Sequence, residues 1–115
     1  MKKFFIIFLI SIMMPLSVFA DASMETVTVA TVSIGFTASV INPSVNKYAT
    51  RAMCTLESGQ IRFTYDDKTI PTTTVGHLLE IGQNLNLIKY DQIRSFRGIR
   101  TGSTSGSLIC TYEFD

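Results

Sequence analysis

The polar segment at residues 66–74 contains the groups that could bind a ligand through hydrogen bonds. Two aspartates and four threonines lie here, more carboxylates and hydroxyls than a turn between strands needs. Adjacent aspartates point to opposite faces of an extended backbone, which is typical of a turn rather than of a metal or acid–base pair. We therefore predict a binding loop; the alternative is that the threonines only reflect β propensity and solubility. Its candidate residues are Asp66, Asp67, Thr69, Thr72 and Thr73.

Three arginines at a spacing of three residues form the clearest cluster of like charge. Arg94, Arg97 and Arg100 would share one face of a helix. In the strand that the pattern at 93–99 favours, Arg94 and Arg100 share one face and Arg97 takes the other. Arginine can hold a carboxylate or phosphate through two parallel hydrogen bonds, so Arg94 and Arg100 are predicted as a patch for an anionic partner. The alternative is a solvated sheet face on which the arginine stems cover apolar surface.

Catalytic and metal-binding constellations are not indicated by the sequence. His77 is the only histidine, and no nucleophile and acid are spaced around it as a hydrolytic triad would require. Neither a His and Cys ligand set for zinc nor the acidic spacing of a calcium loop is present. We therefore predict no enzymatic activity, no cofactor and no metal site. His77 is expected at the edge or the end of a strand, with a role in binding as the alternative.

Residues 1–20 are typical of a secretory signal peptide. Lys2 and Lys3 precede an apolar run that is short for a membrane span, and small residues end the segment at Ala20. Cleavage is predicted after Ala20, with a second site after Ala22; a retained membrane anchor is the alternative. Residues 21–115 would then form one secreted or periplasmic domain without membrane attachment.

The predicted mature chain is nearly neutral. Of ten basic residues, Lys2 and Lys3 leave with the signal peptide, so eight remain against nine acidic ones, a net charge of −1. Such a chain has no global field that would attract nucleic acid. Nucleic acid is therefore not expected as a partner.

Both cysteines of the chain would enter an oxidising compartment. Cys54 and Cys110 fall in the apolar phase of strand-like runs, so both thiols are expected to point inward. A bridge within one sheet or between two sheets would need this arrangement. We predict a disulfide; the alternative is two separate free cysteines that act as small apolar packing residues.

Alternation of apolar and polar residues predicts short strands along the whole mature chain. Ile61, Phe63 and Tyr65 give the clearest example, and Ser58-Gly59 before them predicts a hairpin with the preceding run. Seven or eight short strands without a convincing helical repeat predict an all-β antiparallel sandwich or barrel with very little helix. The predicted strands are 26–34, 36–41, 51–57, 60–65, 77–81, 84–88, 93–99 and 107–114.

Several turns and strands in residues 50–114 follow a recognisable order. They are Ile61 to Tyr65, Asp66-Asp67, Pro71-Thr72, Leu85-Asn86-Leu87, Ile93 to Ile99 and Leu108 to Tyr112. In this order they resemble the immunoglobulin-like module at the C-terminus of chitobiases and β-hexosaminidases, which pairs a Y-T-x-D-G-x-x-P-T turn with a later x-I-K-A strand. Asp67 stands where that turn has glycine, and Ile70 adds one residue before Pro71. The resemblance implies an immunoglobulin-like β-sandwich.

A second resemblance rests on three of the same segments. They are Pro71-Thr72, Val75-Gly76-His77-Leu78 and Phe96-Arg97-Gly98-Ile99-Arg100. They are similar to small β-rich proteins of tailed phages and prophages, which implies a virion component. We expect an exported non-catalytic binding or structural module with a protein or glycan partner. The alternative is a phage- or prophage-encoded virion or accessory structural protein.

Overall fold

The computed structural model describes residues 22–115, and these form two antiparallel sheets. This confirms the predicted all-β antiparallel sandwich, whereas the predicted signal peptide lies outside the described residues. The first sheet has the strand order β1 (Ala22–Val29), β7 (Gly106–Phe114), β2 (Ala49–Ser58) and β5 (Asn84–Leu87). The second has the order β4 (His77–Leu79), β3 (Ile61–Thr64) and β6 (Arg97–Arg100). Two short helices, α1 (Ala38–Ile41) and α2 (Tyr90–Ser95), lie in the connections.

The core between the sheets is built around aromatic side chains. Phe36 stacks on Phe96 with ring centroids 4.3 Å apart and meets the edge of Tyr112 at 5.3 Å. Phe63 of the second sheet lies 5.8 Å from Phe96. Since Tyr112 belongs to the first sheet, these rings connect both sheets, and offset or edge-to-face pairs of this kind stabilise by about 0.5–1.5 kcal/mol beyond their buried area.

The predicted disulfide is confirmed. Cys54 and Cys110 lie directly opposite each other on β2 and β7, with their sulfurs 2.06 Å apart. Both side chains are completely buried, as their apolar phase predicted. The bridge therefore lies within the four-stranded sheet, which decides between the two arrangements that the sequence left open.

The predicted hairpin at Ser58-Gly59 is wrong. β2 belongs to the first sheet and β3 to the second, so the turn carries the chain across the sandwich. Both neighbour positions of β2 are occupied by other strands, β7 and β5. Gly59 has a φ of +67°, and a Cβ there would lie 2.4 Å from the carbonyl oxygen of Ser105. Glycine is therefore needed for this tight crossing, and a turn signal alone does not reveal whether the flanking strands pair.

Two segments predicted as strands contain helix instead. Residues 36–41 were expected to be extended, but they contain α1, and the predicted strand at 93–99 divides into α2 and β6. In α2, Ile93 is completely buried, and Arg94 pairs with Asp91 one turn earlier, with Nε and Oδ1 3.2 Å apart. Short apolar runs do not distinguish a buried strand from one helical turn, and packing against the core decides the outcome.

The strand order differs from that of an immunoglobulin constant domain. In that fold the first strand pairs with the second, and the two sheets read ABED and CFG. Here β1 pairs with β7, and β7 lies inside the four-stranded sheet. The architecture of two packed antiparallel sheets is shared, but the connectivity is not.

Candidate functional site

Residues 66–69 form a turn that its own side chains hold in place. Oδ1 of Asp66 accepts hydrogen bonds from the backbone N–H groups of Lys68 and Thr69, at 3.1 and 2.9 Å. Oδ2 accepts the hydroxyl of Thr69 at 2.7 Å. The backbone and side-chain bonds from Thr69, followed by the N–H of Lys68, lower the pKa of Asp66 to about 2. This carboxylate therefore remains ionised under all ordinary conditions.

The remainder of the loop is fixed from two other directions. The Thr72 hydroxyl accepts the N–H groups of Thr74 and Val75, at 3.2 and 3.0 Å. The guanidinium of Arg62 on β3 donates from Nε to the Thr73 carbonyl at 3.1 Å and from Nη1 to the Gly76 carbonyl at 2.8 Å. The loop is thus bound to the sheet by a charged side chain, and charge-assisted hydrogen bonds are the stronger ones.

The structure divides the predicted binding-loop residues into two groups. The expectation of spare hydrogen-bonding groups is wrong for Asp66, Thr69 and Thr72, because their side chains stabilise the turn itself. The side chains of Asp67 and Thr73 make no hydrogen bond with any residue in 22–115; Oδ2 of Asp67 lies 4.0 Å from Nη1 of Arg94. The binding role of the loop stays a prediction, with these two side chains available for it.

A cleft of about 490 Å³ opens on one side of this turn, and we call it the aromatic cleft. Its wall continues the aromatic core: the rings of Phe63, Tyr65 and His77 lie 5.4 to 6.3 Å apart. The Tyr65 side chain is 39% exposed, so part of its surface is available to a ligand. The cleft is lined by Thr64, Tyr65, Asp66, Thr69, Gly76 and His77.

Gly76 shapes this cleft beside β4. Its φ is +120°, and a Cβ there would lie 2.9 Å from the carbonyl oxygen of Phe63. Any side chain would therefore strain the backbone and push β3 away. Phe63 faces His77 directly in the register of β3 and β4, so the glycine leaves the chain close enough for the two rings to meet. His77 lies on an edge strand of its sheet, as expected from the sequence.

A second cleft of about 360 Å³ adjoins the same turn, and we call it the basic cleft. Residue Thr69 borders both clefts. The loop at 67–70 contributes four residues to the basic cleft, and the remaining three come from α2, from the start of β6 and from the segment before α1. The basic cleft is lined by Ser33, Asp67, Lys68, Thr69, Ile70, Ser95 and Arg97.

The predicted pairing of Arg94 with Arg100 on one strand face is wrong. Arg94 lies in α2, beside Asp91 and Asp67, whereas Arg100 ends β6 and donates from Nη1 to the Ser105 hydroxyl at 3.4 Å. The arginine that lines a cleft is Arg97, which the strand pattern placed on the other face. The sequence contained no direct signal for it, because its neighbours come from segments distant along the chain.

The described part of the chain contains no cluster of potential metal ligands. Within residues 22–115, no three His, Cys, Asp or Glu side chains come together as a metal site would require. No helix among these residues is long and apolar enough to cross a membrane.

Comparisons with protein-family models, with curated proteins and with solved structures give no match for this chain. The two clefts at the turn are the candidate binding sites.

Proposed function

We propose that this protein is an exported, non-catalytic binding module that holds a sugar ring of a glycan in the aromatic cleft. The observation that carries the proposal is the partly exposed Tyr65 ring, stacked at 22° to His77, at the wall of the aromatic cleft. A flat aromatic ring packs against the apolar face of a sugar. The exposed imidazole of His77 can form hydrogen bonds with the sugar hydroxyls.

The dimensions of the cleft favour a ring-sized ligand over a protein partner. Its volume of about 490 Å³ falls within the range of small-molecule sites, which is roughly 300–1,000 Å³. A stable protein interface would instead need about 800 Å² of complementary surface on each partner. A concave site with an aromatic wall and few polar groups therefore fits one unit of a saccharide.

The rigidity of the turn supports a role in binding. Asp66, Thr72 and Arg62 already hold the loop in one conformation, so a ligand does not have to order it. Loops that are ordered before binding lose less conformational entropy on association, which increases affinity. Recognition on a loop held by a rigid sheet is common among β-sandwich proteins.

The disulfide supports export. Cys54 and Cys110 are bonded in the centre of the first sheet, and structural disulfides persist mainly in oxidising compartments. Mass spectrometry of the gene product from a Gram-negative host should find a mature N-terminus at Asp21 or Ser23. A membrane-bound product that keeps residues 1–20 would instead identify an anchored protein.

A glycan array probed with the product recovered from the periplasm tests the ligand class. We expect binding to a limited set of saccharides, and Tyr65→Ala should weaken it about tenfold, because a lost aromatic contact at a binding site costs roughly 1–2 kcal/mol. Tyr48→Ala is the matched control. Tyr48 is 45% exposed and stacked on another tyrosine, but it does not line the aromatic cleft.

Three results would overturn this proposal. Unchanged saccharide binding by Tyr65→Ala, with correct folding, would remove the aromatic cleft from the interaction. Retention of a protein from a matched extract, with no saccharide bound, would replace the glycan by a protein partner. An equal loss in Tyr48→Ala would indicate a general effect of removing exposed tyrosine.

A further inference from the structure

Two positively charged side chains meet at the basic cleft without an acidic partner. Lys68 and Arg97 are exposed, and neither side chain makes a hydrogen bond or an ion pair with another residue in 22–115. Most exposed cations are simply solvated, so this observation alone does not define a site. The two cations do show that a ligand in this cleft would meet positively charged side chains.

The third feature of the cleft is a serine hydroxyl at its wall. Ser95 ends α2 and lines the cleft, yet it is only 4% exposed. Its side chain forms no hydrogen bond with any other described residue. No fully buried side-chain oxygen or nitrogen in residues 22–115 lacks a hydrogen-bond partner, so the Ser95 oxygen keeps some accessible surface at the cleft. An unpaired hydroxyl at the wall of a cleft is therefore available to a ligand oxygen.

The fold holds these groups in fixed relative positions. Arg97 lies directly opposite Thr64 in the register of β6 and β3. The Thr64 hydroxyl donates to the Thr69 carbonyl at 2.7 Å, which ties the turn that carries Lys68 to the same strand. Ser95 precedes Arg97 by two residues and approaches from α2. The turn, β6 and α2 thereby contribute Lys68, Arg97 and Ser95 to one cleft.

We propose that the basic cleft binds a tetrahedral oxyanion, a phosphate or sulfate group carried by a ligand. Arg97 donates two parallel hydrogen bonds to two of its oxygens, which is the geometry that guanidinium groups provide. Lys68 supplies a compact positive charge, and the Ser95 hydroxyl donates to a third oxygen. The proposal does not rest on the saccharide site, because Lys68, Ser95 and Arg97 do not line the aromatic cleft.

One acidic residue also lines the cleft and must be included in its charge. Asp67 would repel an oxyanion, but its Oδ2 lies 4.0 Å from Nη1 of Arg94, which offsets it. Arg94 is itself shared with Asp91. Arg94 thus leaves one aspartate charge uncompensated, so a net charge of +1 remains when Lys68 and Arg97 are counted with it. Because both are exposed, we expect modest affinity that weakens as ionic strength rises.

Titration of the exported protein with inorganic phosphate, followed by amide NMR at constant ionic strength, tests this site. We expect saturable shifts centred on Lys68, Ser95 and Arg97. Arg97→Gln should weaken binding about tenfold, because hydrogen bonds to charged groups contribute about 1.5–3 kcal/mol. Lys68→Ala should weaken it clearly, whereas Lys89→Ala, an exposed lysine outside the cleft, is the control and should not.

Ser95→Ala separates a ligand-binding hydroxyl from a structural one. Because the hydroxyl has no partner among the described residues, its removal should leave the thermal midpoint unchanged or raise it. Phosphate binding should nevertheless weaken about tenfold, because the hydroxyl donates to a charged oxygen and such a hydrogen bond contributes about 1.5–3 kcal/mol. Unchanged phosphate affinity in this variant would remove Ser95 from the site.

Comparison of anions identifies the chemistry. Tighter binding of phosphate than of sulfate supports a phosphorylated ligand, and the reverse supports a sulfated one. Acetate that binds as tightly as both would overturn the tetrahedral assignment, since the cleft would then respond to charge alone. Phosphate shifts that do not saturate, or that are equal in Lys68→Ala and Lys89→Ala, would also overturn the proposal. Saccharide binding in the array would be unaffected by these failures.

Discussion

The hydrogen bond between Tyr112 and Glu25 gives the sharpest test of how this sandwich is held together. Tyr112 on β7 is completely buried, and its hydroxyl donates to Oε2 of Glu25 on β1 at 2.5 Å, across 87 residues of sequence. The same carboxylate oxygen accepts the backbone N–H of Thr37 at 3.1 Å. A carboxylate that enters from an edge strand thus satisfies the only polar group of a buried ring.

Removal of the acceptor should cost more than a surface change. Glu25→Ala leaves the buried Tyr112 hydroxyl without a hydrogen-bond partner, which costs about 1–3 kcal/mol of folding stability. The backbone N–H of Thr37 also loses its acceptor, but it is exposed and can donate a hydrogen bond to water instead. Tyr112→Phe in the natural chain loses a charge-assisted hydrogen bond and should cost about 1–2 kcal/mol. In the Glu25→Ala background the same change removes the unpaired hydroxyl. There it should be neutral or stabilising.

Urea denaturation of the four proteins in this double-mutant cycle measures the coupling. We expect a coupling energy of about 2 kcal/mol, far above the few tenths found for independent sites. Tyr90→Phe is the control, because its hydroxyl makes no hydrogen bond within residues 22–115. It should change the free energy of unfolding little. Additive effects of Glu25→Ala and Tyr112→Phe would refute this reasoning and place the stability of the ring in its packing alone.

Four further outcomes are expected. Burial, followed by the hydrogen bond and charge of Glu25, raises the pKa of Tyr112 far above its ordinary value, so the folded chain keeps a proton that the unfolded chain loses above about pH 10. The free energy of unfolding should therefore be unaffected by this group below pH 10 and fall as the pH rises above it, a slope that Tyr112→Phe removes in pH-dependent denaturation. Replacing Cys54 and Cys110, 56 residues apart, by alanine should lower stability by about 4 kcal/mol in the chain-entropy model, and equal midpoints with and without reductant would contradict this. Gly59→Ala should destabilise by about 2–3 kcal/mol, since φ is +67° and a backbone oxygen lies 2.4 Å from the Cβ position; an unchanged thermal midpoint would show that the crossing relaxes. Asp67→Gly should raise stability by up to about 1 kcal/mol, because Asp67 has a φ of +64° and its ion pair is exposed; a lower midpoint would show that the pair matters more.

The strands were predictable wherever one face of the strand is buried and the other is exposed to solvent. Ile61 and Phe63 alternate with Arg62 both in the sequence and in the sandwich, and the inward phase of Cys54 and Cys110 led to their disulfide. The helices were not predictable, because one or two turns carry too few residues to show a period of 3.6. Their formation depends on side chains such as Ile93, which reach the core only as a helical turn.

The candidate sites show the same division. The Asp-rich turn and its threonines could be located from the sequence as a loop, because their side chains favour local hydrogen bonds with the backbone. The sequence could not predict which of these side chains remain available to bind a ligand. Asp66 and Thr72 are committed to the turn, whereas Asp67 and Thr73 are not. Lys68, Ser95 and Arg97 meet only after three elements have packed together.

The sequence by itself determined the all-β class, the inward phase of most strands, the pairing of the two cysteines and the position of the polar turn. Each of these depends on local periodicity or on the chemistry of a few neighbouring residues. Only the tertiary structure decided that β2 and β3 belong to different sheets, that β1 pairs with β7, and that two clefts adjoin the turn. These outcomes depend on competition between strands for the same backbone hydrogen bonds and on burial of the aromatic core, which join residues far apart in the chain.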